Sequence, residues 1–252
     1  MISNRTIAIC DILGFRKLVA DNPLNDVVQN ALGFFRKTLH HSIHQDSFPE
    51  DSPSLKQLKN ESRVGMAWFS DTVLFYSLGD TDEDCRRVIE STAWLLFETM
   101  SFPHTRVRAA VSYGAVFVDD ENGIFVGYPI IEAYELQHLQ NWSGGALAPS
   151  IESRIPQHIL SEQPLHWYFT DYPVPLKDLD RKFTDVHLAI DWTRGIHDFQ
   201  PFPWSKKSAE PTTEDKNKSP DVVAKWNNTR DFHSAKCRFC GRRQRQPAPE
   251  HE

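Results

Sequence analysis

The chain combines short apolar runs, which predict strands, with longer stretches in which apolar residues recur at helical spacing. The run from Thr6 to Leu13 is apolar except for one aspartate and ends at Gly14, which predicts a buried strand that enters a turn. After Asn22, a good N-cap, apolar residues recur every three or four positions from 24 to 39 and predict a helix. A second amphipathic helix is predicted over Asp82 to Met100.

Two pairs of strand-like runs lie close enough together to form hairpins. Arg63 to Phe69 and Thr72 to Leu78 are separated by two residues, the spacing of a tight hairpin. The second of those two residues is Asp71, which is therefore predicted at or beside the hairpin tip. Residues 106–119 predict another hairpin, which turns at Gly114.

The remaining pattern completes an α+β fold. A helix is predicted over Pro129 to Trp142, and strands over His166 to Thr170 and Val186 to Asp191. This order of elements favours a mainly antiparallel sheet covered by helices. We assign residues 1–203 to this domain, 204–230 to a disordered linker rich in Lys, Ser, Glu, Thr and Pro, and 231–252 to a basic tail containing Cys and His.

Composition excludes several classes of protein. Apolar residues make up 40% of the 252 residues, so general disorder is not expected. A net charge of -6 argues against a nucleic-acid partner. No apolar stretch approaches the roughly 20 residues that span a bilayer, so we expect no membrane insertion. The four scattered cysteines suit a reducing compartment, and we expect a cytoplasmic protein.

Asp11 and Asp71 are two acidic residues within or beside apolar strands, where a charged side chain is unfavourable. An isolated buried carboxylate costs several kcal/mol unless it is paired, hydrogen-bonded or metal-bound. A strand end and a hairpin tip can face each other across a sheet, and two carboxylates there can hold two divalent cations that clamp a triphosphate. The helix start at Gly14 and Phe15 suits phosphate oxygens. Taken singly, each aspartate is better explained as a turn residue at a strand end, where Asp is common.

Four motifs in this order resemble the class III nucleotidyl cyclases, the family of the adenylate and guanylate cyclases. The resemblance spans roughly residues 5–142 and rests on several motifs in compatible secondary structure rather than on any single one. The motifs are the strand-to-helix segment Asp11 to Phe15, the hairpin Phe69 to Thr72, the strand Arg108 to Val116 and the helix opening at Val126 and Gly127.

This resemblance implies a ferredoxin-like, polymerase-palm type sheet and a head-to-tail homodimer with its sites at the interface. It implies that the side chains of Asp11 and Asp71 and the backbone carbonyl of Ile12 bind two Mn²⁺ or Mg²⁺ ions. Phe15, with Gly14, would lie against the nucleotide, whose ribose 3′-hydroxyl attacks its own α-phosphate and releases pyrophosphate. Arg108 matches a nucleotide-binding position, although a surface ion pair explains it equally well.

The positions that read a purine base in this family are apolar here. They are Ala67 and Ile124, which offer no hydrogen bond to adenine or guanine. Met66 and Trp68 either narrow the base pocket or belong to the core. The segment Gly127 to Gly144 resembles the bacterial pyrimidine cyclases of the Pycsar anti-phage systems, whose messenger activates a neighbouring effector protein.

These features favour conversion of UTP to cyclic UMP, with conversion of CTP to cyclic CMP as the alternative. A catalytically silent, nucleotide-binding module is the third possibility. The family's transition-state Asn and Arg are replaced by Ile131 and Glu135, so another cation must serve. The candidates are Arg63, Arg106 and Arg108.

The tail contains His233, Cys237 and Cys240 in a His-x3-Cys-x2-Cys pattern. Zinc takes four N or S ligands, so a site here would need a fourth, such as His251 or a ligand from a partner chain. The alternative is a disordered basic tail with two free thiols.

Overall fold

The first strand, β1 Ile2–Ile12, is an interior strand of the sheet, and its second half is mainly apolar because helices cover both of its faces. Ile7, Ala8, Ile9 and Cys10 are all at most 5% exposed. The structure is a computed structural model that describes residues 2–45, 48–59, 62–101, 106–152, 154–155, 168–177, 183, 186–193 and 219–236. The strands are β1 Ile2–Ile12, β2 Gly65–Phe69, β3 Thr72–Tyr76, β4 Val107–Asp119, β5 Ile124–Gly127, β6 Gly144–Leu147, β7 Phe169–Asp171 and β8 Leu188–Ile190.

The helices pack on the two faces of this sheet. They are α1 Phe15–Asp21, α2 Leu24–Asp26, α3 Leu32–His44, α4 Leu55–Lys59, α5 Asp82–Ser101, α6 Tyr128–Leu139, α7 Pro149–Glu152 and α8 Pro220–Lys236, and a π-helical turn, Val27–Ala31, joins α2 to α3.

The sheet order is β2-β3-β1-β4-β6-β8-β7, with β5 paired to β4. The β4–β6 pair is parallel, and the other pairs of named strands are antiparallel. The predicted α+β class, a mainly antiparallel sheet covered by helices, is therefore confirmed.

The register of β1, β2 and β3 sorts the sheet residues onto two faces, because directly opposed residues in a sheet share a face. Asp11 lies opposite Thr72, which in turn lies opposite Phe69. Cys10 lies on the other face, opposite Val73. Helix α6 covers the face of Asp11, and α3 and α5 cover the opposite one.

The hairpin predicted at Gly114 is wrong, because β4 continues through this residue. Pairing along the whole of β1, from Ile2 opposite Phe117 to Ile12 opposite Val107, keeps the strand extended. The true turn follows Asp119, whose side chain accepts a hydrogen bond from the backbone N–H of Asn122 over 3.1 Å. The partner strand β5 was not predicted.

The linker predicted over residues 204–230 is wrong from Pro220 onward. These residues begin α8, which packs on the domain through the fully buried Phe232. The rings of Trp142, Tyr172 and Trp192 surround that side chain at centroid distances of 4.9, 4.8 and 5.8 Å. Residues 204–218 and most of the predicted tail lie outside the described residues.

Within the described ranges, no helix is long and apolar enough to cross a membrane. His233 lies on α8 and stacks on Trp192 with ring centroids 5.7 Å apart. Cys237, Cys240 and His251, the other candidate zinc ligands, lie outside the described residues.

Candidate active site

Asp11 lies at the edge of the core, between its two neighbouring strands and helix α6. Its register partners are Thr72 on β3 and Arg108 on β4. The hydroxyl of Thr72 donates to Oδ1 over 3.3 Å, and Nε2 of Gln137 donates to Oδ2 over 3.2 Å. The Nη2 atom of Arg108 lies 3.9 Å from Oδ2. Each carboxylate oxygen therefore has a donor, and the direction of the side chain is fixed.

The pKa of Asp11 is raised above its usual value. Burial is the main cause, and the negative charge of Asp71 is the second; Arg108 and the hydrogen bonds from Thr72 and Gln137 act in the opposite direction. The donors around Asp11 thus do not fully offset the cost of ionising it there. A bound cation would relieve both causes of the shift, because it returns favourable interactions to the carboxylate and neutralises its neighbour.

Asp71 follows Ser70 at the tip of the β2–β3 hairpin, as predicted. Ser70 has a left-handed backbone with φ of 56°, and its carbonyl oxygen accepts a hydrogen bond from the indole N–H of Trp68 over 2.8 Å. The carbonyl oxygen of Asp71 accepts a hydrogen bond from the backbone N–H of Ile12 over 3.0 Å. This bond ties the hairpin tip to the end of β1 and brings the two aspartates together. Metal binding by Asp11, Asp71 and Ile12 stays a prediction.

Gly14 and Phe15 lead from β1 into the exposed helix α1. Gly14 has φ of 77°, and a Cβ atom there would meet nothing within 4 Å, so its backbone conformation rather than crowding favours glycine. Leu13 is held by a hydrogen bond of 2.8 Å from its N–H to the carbonyl oxygen of Arg106. The segment after Asp11 is therefore anchored to strands on both sides. The predicted contacts of Gly14 and Phe15 with a nucleotide stay predictions.

Arg108 is a strand residue beside a carboxylate, as its alternative interpretation expected, but the pair with Asp11 is largely buried and does not lie at the surface. Its side chain is directed toward Asp11 and the end of α6, where Nη1 donates to the carbonyl oxygens of Gln140 over 2.9 Å and His138 over 3.4 Å. Burial lowers the pKa of Arg108, and the charge of Asp11 opposes this. Its Nε is buried and has no hydrogen-bond partner among the described residues. A role in nucleotide binding stays a prediction.

The other two candidate cations lie in different surroundings. Arg63 belongs to a separate cluster, in which its Nη2 lies 3.3 Å from a carboxylate oxygen of Glu90 on α5. Arg106 lies beside the candidate site, and the ring of Trp226 on α8 covers its guanidinium at 3.7 Å. Burial lowers the pKa of Arg106 to about 10.

Thr72 and Gln137 were missed by the sequence analysis. Thr72 directly follows Asp71 in the hairpin motif, so strand register could have suggested its place opposite Asp11. Gln137 is 2% exposed and lies on the buried face of α6, and a polar residue on a predicted buried face was the available signal.

The apolar replacements at the purine-reading positions lie on two different strands. Ala67 is half-buried on β2, and Ile124 is 46% exposed on β5. Met66 is buried in the core, and Trp68 packs edge-on against Phe35 of α3 at 5.6 Å. Both residues are on the face opposite Asp11. Their interpretation as core residues is therefore correct.

Helix α6 begins next to β4, at a point where only glycine fits. A Cβ atom on Gly127 would lie 2.7 Å from the carbonyl oxygen of Ala115 and 2.9 Å from Cα of Val116. Beyond this start, Ile131 is 52% exposed, and Glu135 is half-buried. Neither residue can supply the positive charge that the family carries on this helix.

Comparisons with known proteins identify the fold. No protein-family profile and no curated protein matches the sequence. The catalytic core of a rhodopsin-guanylyl cyclase with converted specificity, in complex with ATPαS, is similar with a TM-score of 0.51 and 11% identity over 75% of this chain and 95% of that chain. The adenylyl cyclase CyaB from P. aeruginosa has a TM-score of 0.49 and 11% identity over 76% of this chain and 95% of that one.

An adenylate/guanylate cyclase/hydrolase from Silicibacter pomeroyi is similar with a TM-score of 0.46 and 17% identity, over 75% of this chain and 95% of that chain. Identities this low bear on the fold alone. The chain has the palm-like fold of the class III nucleotidyl cyclases.

Proposed function

We propose that this chain is a nucleotidyl cyclase that converts UTP to 3′,5′-cyclic UMP and pyrophosphate. The observation that carries the proposal is the pairing of Asp11 and Asp71 where β1, β3 and α1 meet on the sheet of a class III cyclase fold. The 3′-oxygen of the ribose bonds to the α-phosphorus, the bond to pyrophosphate breaks, and the hydroxyl proton passes to solvent.

The donor atoms at this point suit a hard divalent cation. Carboxylate and carbonyl oxygens are the ligands that Mg²⁺ and Mn²⁺ prefer, and the raised pKa of Asp11 reflects burial and the nearby charge of Asp71, which a cation would relieve. Asp11, Asp71 and the carbonyl of Ile12 would hold two such ions. When bound, they would supply charge neutralisation on the phosphates and a lower pKa for the 3′-hydroxyl.

The other residues of the site would orient the carboxylate of Asp11 or bind the nucleotide. Thr72 and Gln137 each donate to one oxygen of Asp11 and keep the carboxylate directed along the end of β1. Arg108 places a buried positive charge beside it, which favours an anionic ligand. Phe15 and Gly14, at the start of α1, would lie along the nucleotide.

A pyrimidine substrate is supported by the apolar side chains at the two positions that read a purine base in the class III cyclases. Ala67 offers no side-chain hydrogen bond on the same sheet face as Asp11, and Ile124 is apolar and exposed. A site that read a purine would need polar groups at these positions. UTP is the first choice and CTP the alternative. The cyclic product would act as a second messenger in anti-phage defence in the cytoplasm, where an effector protein encoded nearby would respond to it.

A homodimer is supported by a stripe of exposed apolar side chains. On α6, Tyr128, Ile131 and Tyr134 are 59%, 52% and 56% exposed, and at spacings of three they share one face of the helix. On the adjoining strand β5, Val126 is 61% exposed. We call these four residues the α6 stripe. Contiguous apolar surface of this kind is typical of a protein interface, and a second copy of the chain is the partner we propose.

The proposal is tested by supplying the purified protein separately with UTP, CTP, GTP and ATP in the presence of Mn²⁺. Mass spectrometry should identify cyclic UMP as the main product. Asp71→Ala should abolish turnover while circular dichroism and thermal unfolding remain those of a folded protein. If none of the four nucleotides gave a cyclic product, the proposed cyclase activity would be wrong. If Asp71→Ala kept full activity, the assignment of Asp71 as a metal ligand would be wrong.

One observation favours a second candidate function. Ile131 and Glu135 occupy the α6 positions that carry the transition-state residues of the family. A nucleotide-binding module without catalysis would tolerate this replacement. Such a module would bind a triphosphate with Mn²⁺ in calorimetry and still form no cyclic product.

A further inference from the structure

Helix α8 packs beside the candidate active site, although it lies outside the domain predicted from the sequence. Trp226 covers the guanidinium of Arg106 at 3.7 Å, and Nδ2 of Asn228 donates to the carbonyl oxygen of Asn141 over 2.7 Å. Further along, Phe232 is fully buried. These contacts set the helix beside the segment that follows α6, and the charge of Asp221 on α8 reaches Arg108.

Three cations converge at this end of α6. Arg108 and Lys177 donate to the same carbonyl oxygen, that of His138, over 3.4 and 2.7 Å. Lys225 of α8 lies close enough that its charge and that of Arg108 both lower the pKa of Lys177, after burial, the main cause. The carboxylates of Asp221 and Asp11 act on Lys177 in the opposite direction. Three cations against two carboxylates still leave this place positive in a chain with a net charge of -6, and positive charge attracts a polyanion.

Capping of α6 explains two of these three cations but not the third. Arg108 and Lys177 satisfy carbonyl groups at the helix end, a common structural role. Lys225 donates to no carbonyl among the described residues; its Nζ contacts Oδ2 of Asp221 over 2.6 Å, and the side chain of Asp221 is 58% exposed. The side chain of Lys225 is 23% exposed, so the pair is open to solvent on its Asp221 side. An i,i+4 pair of this kind adds little to stability, and a stronger anion can replace its carboxylate.

A second observation points to an anionic ligand at the same place. Arg108 is 5% exposed, and its buried Nε has no hydrogen-bond partner within the described part of the chain. Buried polar atoms are almost always hydrogen-bonded, so a free N–H on a buried guanidinium is an unmet donor. A phosphate oxygen is the acceptor that a guanidinium prefers.

We propose that Lys225 binds the terminal phosphates of the nucleoside triphosphate and of the pyrophosphate that leaves, and that α8 is thereby part of the active site of its own chain. The proposal rests on the function proposed above. In the reaction, negative charge builds up on the leaving pyrophosphate, and the ammonium group of Lys225 stabilises it without transferring a proton. Asp221 holds Lys225 in place until phosphate replaces it. This assignment supplies a positive charge that Ile131 and Glu135 do not.

The pair Lys225 and Asp221 offers a test that separates ligand binding from a structural ion pair. We would measure the affinity of the full chain for inorganic tripolyphosphate with Mn²⁺ by calorimetry. Lys225→Met should weaken binding by about tenfold, the loss of one charge-assisted contact. Asp221→Asn should bind as tightly as the wild type or more tightly, because it removes the competing carboxylate.

Lys236→Met is the matched control, because Lys236 lies on the same helix and its amine donates to the carbonyl oxygen of Asp171 over 2.6 Å. It should bind tripolyphosphate like the wild type. Thermal unfolding of each variant verifies that it is folded. Unchanged affinity of Lys225→Met would overturn the proposal, and so would equal weakening by Lys225→Met and Asp221→Asn, which is the result expected of a structural pair.

A kinetic experiment tests the role of Lys225 separately from the proposed cyclase activity. With UTP, Lys225→Met should raise KM and lower kcat, since Lys225 contacts the phosphates before and during their release. Cyclic UMP formed at wild-type KM and kcat by Lys225→Met would overturn the role of Lys225 and leave the cyclase standing. No product from the wild type, with tripolyphosphate binding still dependent on Lys225, would overturn the cyclase and leave the polyphosphate site.

Discussion

At the scale of single residues, the sequence was sufficient to find Asp11, Asp71 and Arg108, but not the contacts that set the properties of Asp11. A carboxylate at the end of an apolar strand is visible in sequence because it breaks a simple pattern. Gln137 and Arg108 reach Asp11 from distant parts of the chain, over 3.2 and 3.9 Å. The packing of α6 on the sheet brings Gln137 there, and the pairing of β4 with β1 brings Arg108. Their roles depend on tertiary structure, which local periodicity does not encode.

The raised pKa of Asp11 leads to a prediction about pH. Folding makes its ionised form less favourable, so the wild type should lose stability as the pH rises above the unfolded-state pKa of about 3.9, until the native carboxyl is fully ionised. At lower pH the carboxyl is protonated in both states, and the cost disappears. Asp11→Asn removes this dependence. Urea unfolding of metal-free protein should therefore favour the variant increasingly, relative to the wild type, from about pH 4 upward.

Asp26→Asn, at an exposed position on α2, is the control and should unfold with the same pH profile as the wild type. Added Mn²⁺ should stabilise the wild type more than Asp11→Asn, because the ion binds the native carboxylate. Parallel pH profiles for the wild type and Asp11→Asn would show that folding does not perturb this carboxyl.

At the scale of elements, the sequence predicted the helices and strands whose apolar spacing favours a single structure. It failed where pairing with another strand decided the structure. The helix α5 and the β2–β3 hairpin follow directly from spacing. Gly114 carried a turn signal that pairing with β1 overrides, whereas Asn122 and Gly123 marked the real turn. Helix α8 was missed because its surroundings are polar.

Yet α8 did carry a helical pattern. Val222, Trp226, Thr229 and His233 recur at spacings of three and four, which places them on one side of the helix. The hydroxyl of Thr229 accepts a hydrogen bond from the backbone N–H of Ser143 over 2.8 Å, so this side faces the domain. A longer window over the linker would have found the helix, and with it Lys225.

The packing of α8 predicts a large effect for Phe232→Ala. The ring is fully buried among three aromatic side chains, so its removal should lower the free energy of unfolding by about 3 kcal/mol, as for other buried aromatic residues. Urea unfolding followed by tryptophan fluorescence measures this. Arg230→Ala, at an exposed position of the same helix, should change stability by less than about 0.5 kcal/mol. Similar stabilities for the two variants would mean that α8 does not pack as described.

At the scale of the whole molecule, the distribution of surface types agrees with a site shared between two chains. Cations gather at the end of α6 beside Asp11, and the α6 stripe exposes apolar side chains along the same helix. The sequence did not reveal the stripe, because exposed and buried apolar residues look alike until the sheet partner of α6 is known. One helix thus contributes to the core, to the candidate site and to the proposed interface.

This arrangement predicts that a single charge on the α6 stripe separates the two chains. Ile131→Asp would bury a carboxylate without a partner if the dimer formed, at a cost of several kcal/mol, so the variant should sediment as a monomer where the wild type sediments as a dimer. Leu55→Asp is the matched control, because Leu55 is 47% exposed on α4, which packs against α3 rather than α6, and it should remain dimeric. If the Ile131→Asp variant were a dimer, the interface would lie elsewhere on the molecule. If the wild type were a monomer, the proposed dimer would be wrong. Because the site lies at the end of the same helix, loss of the dimer should also lower cyclase activity without reducing the thermal stability of the monomer.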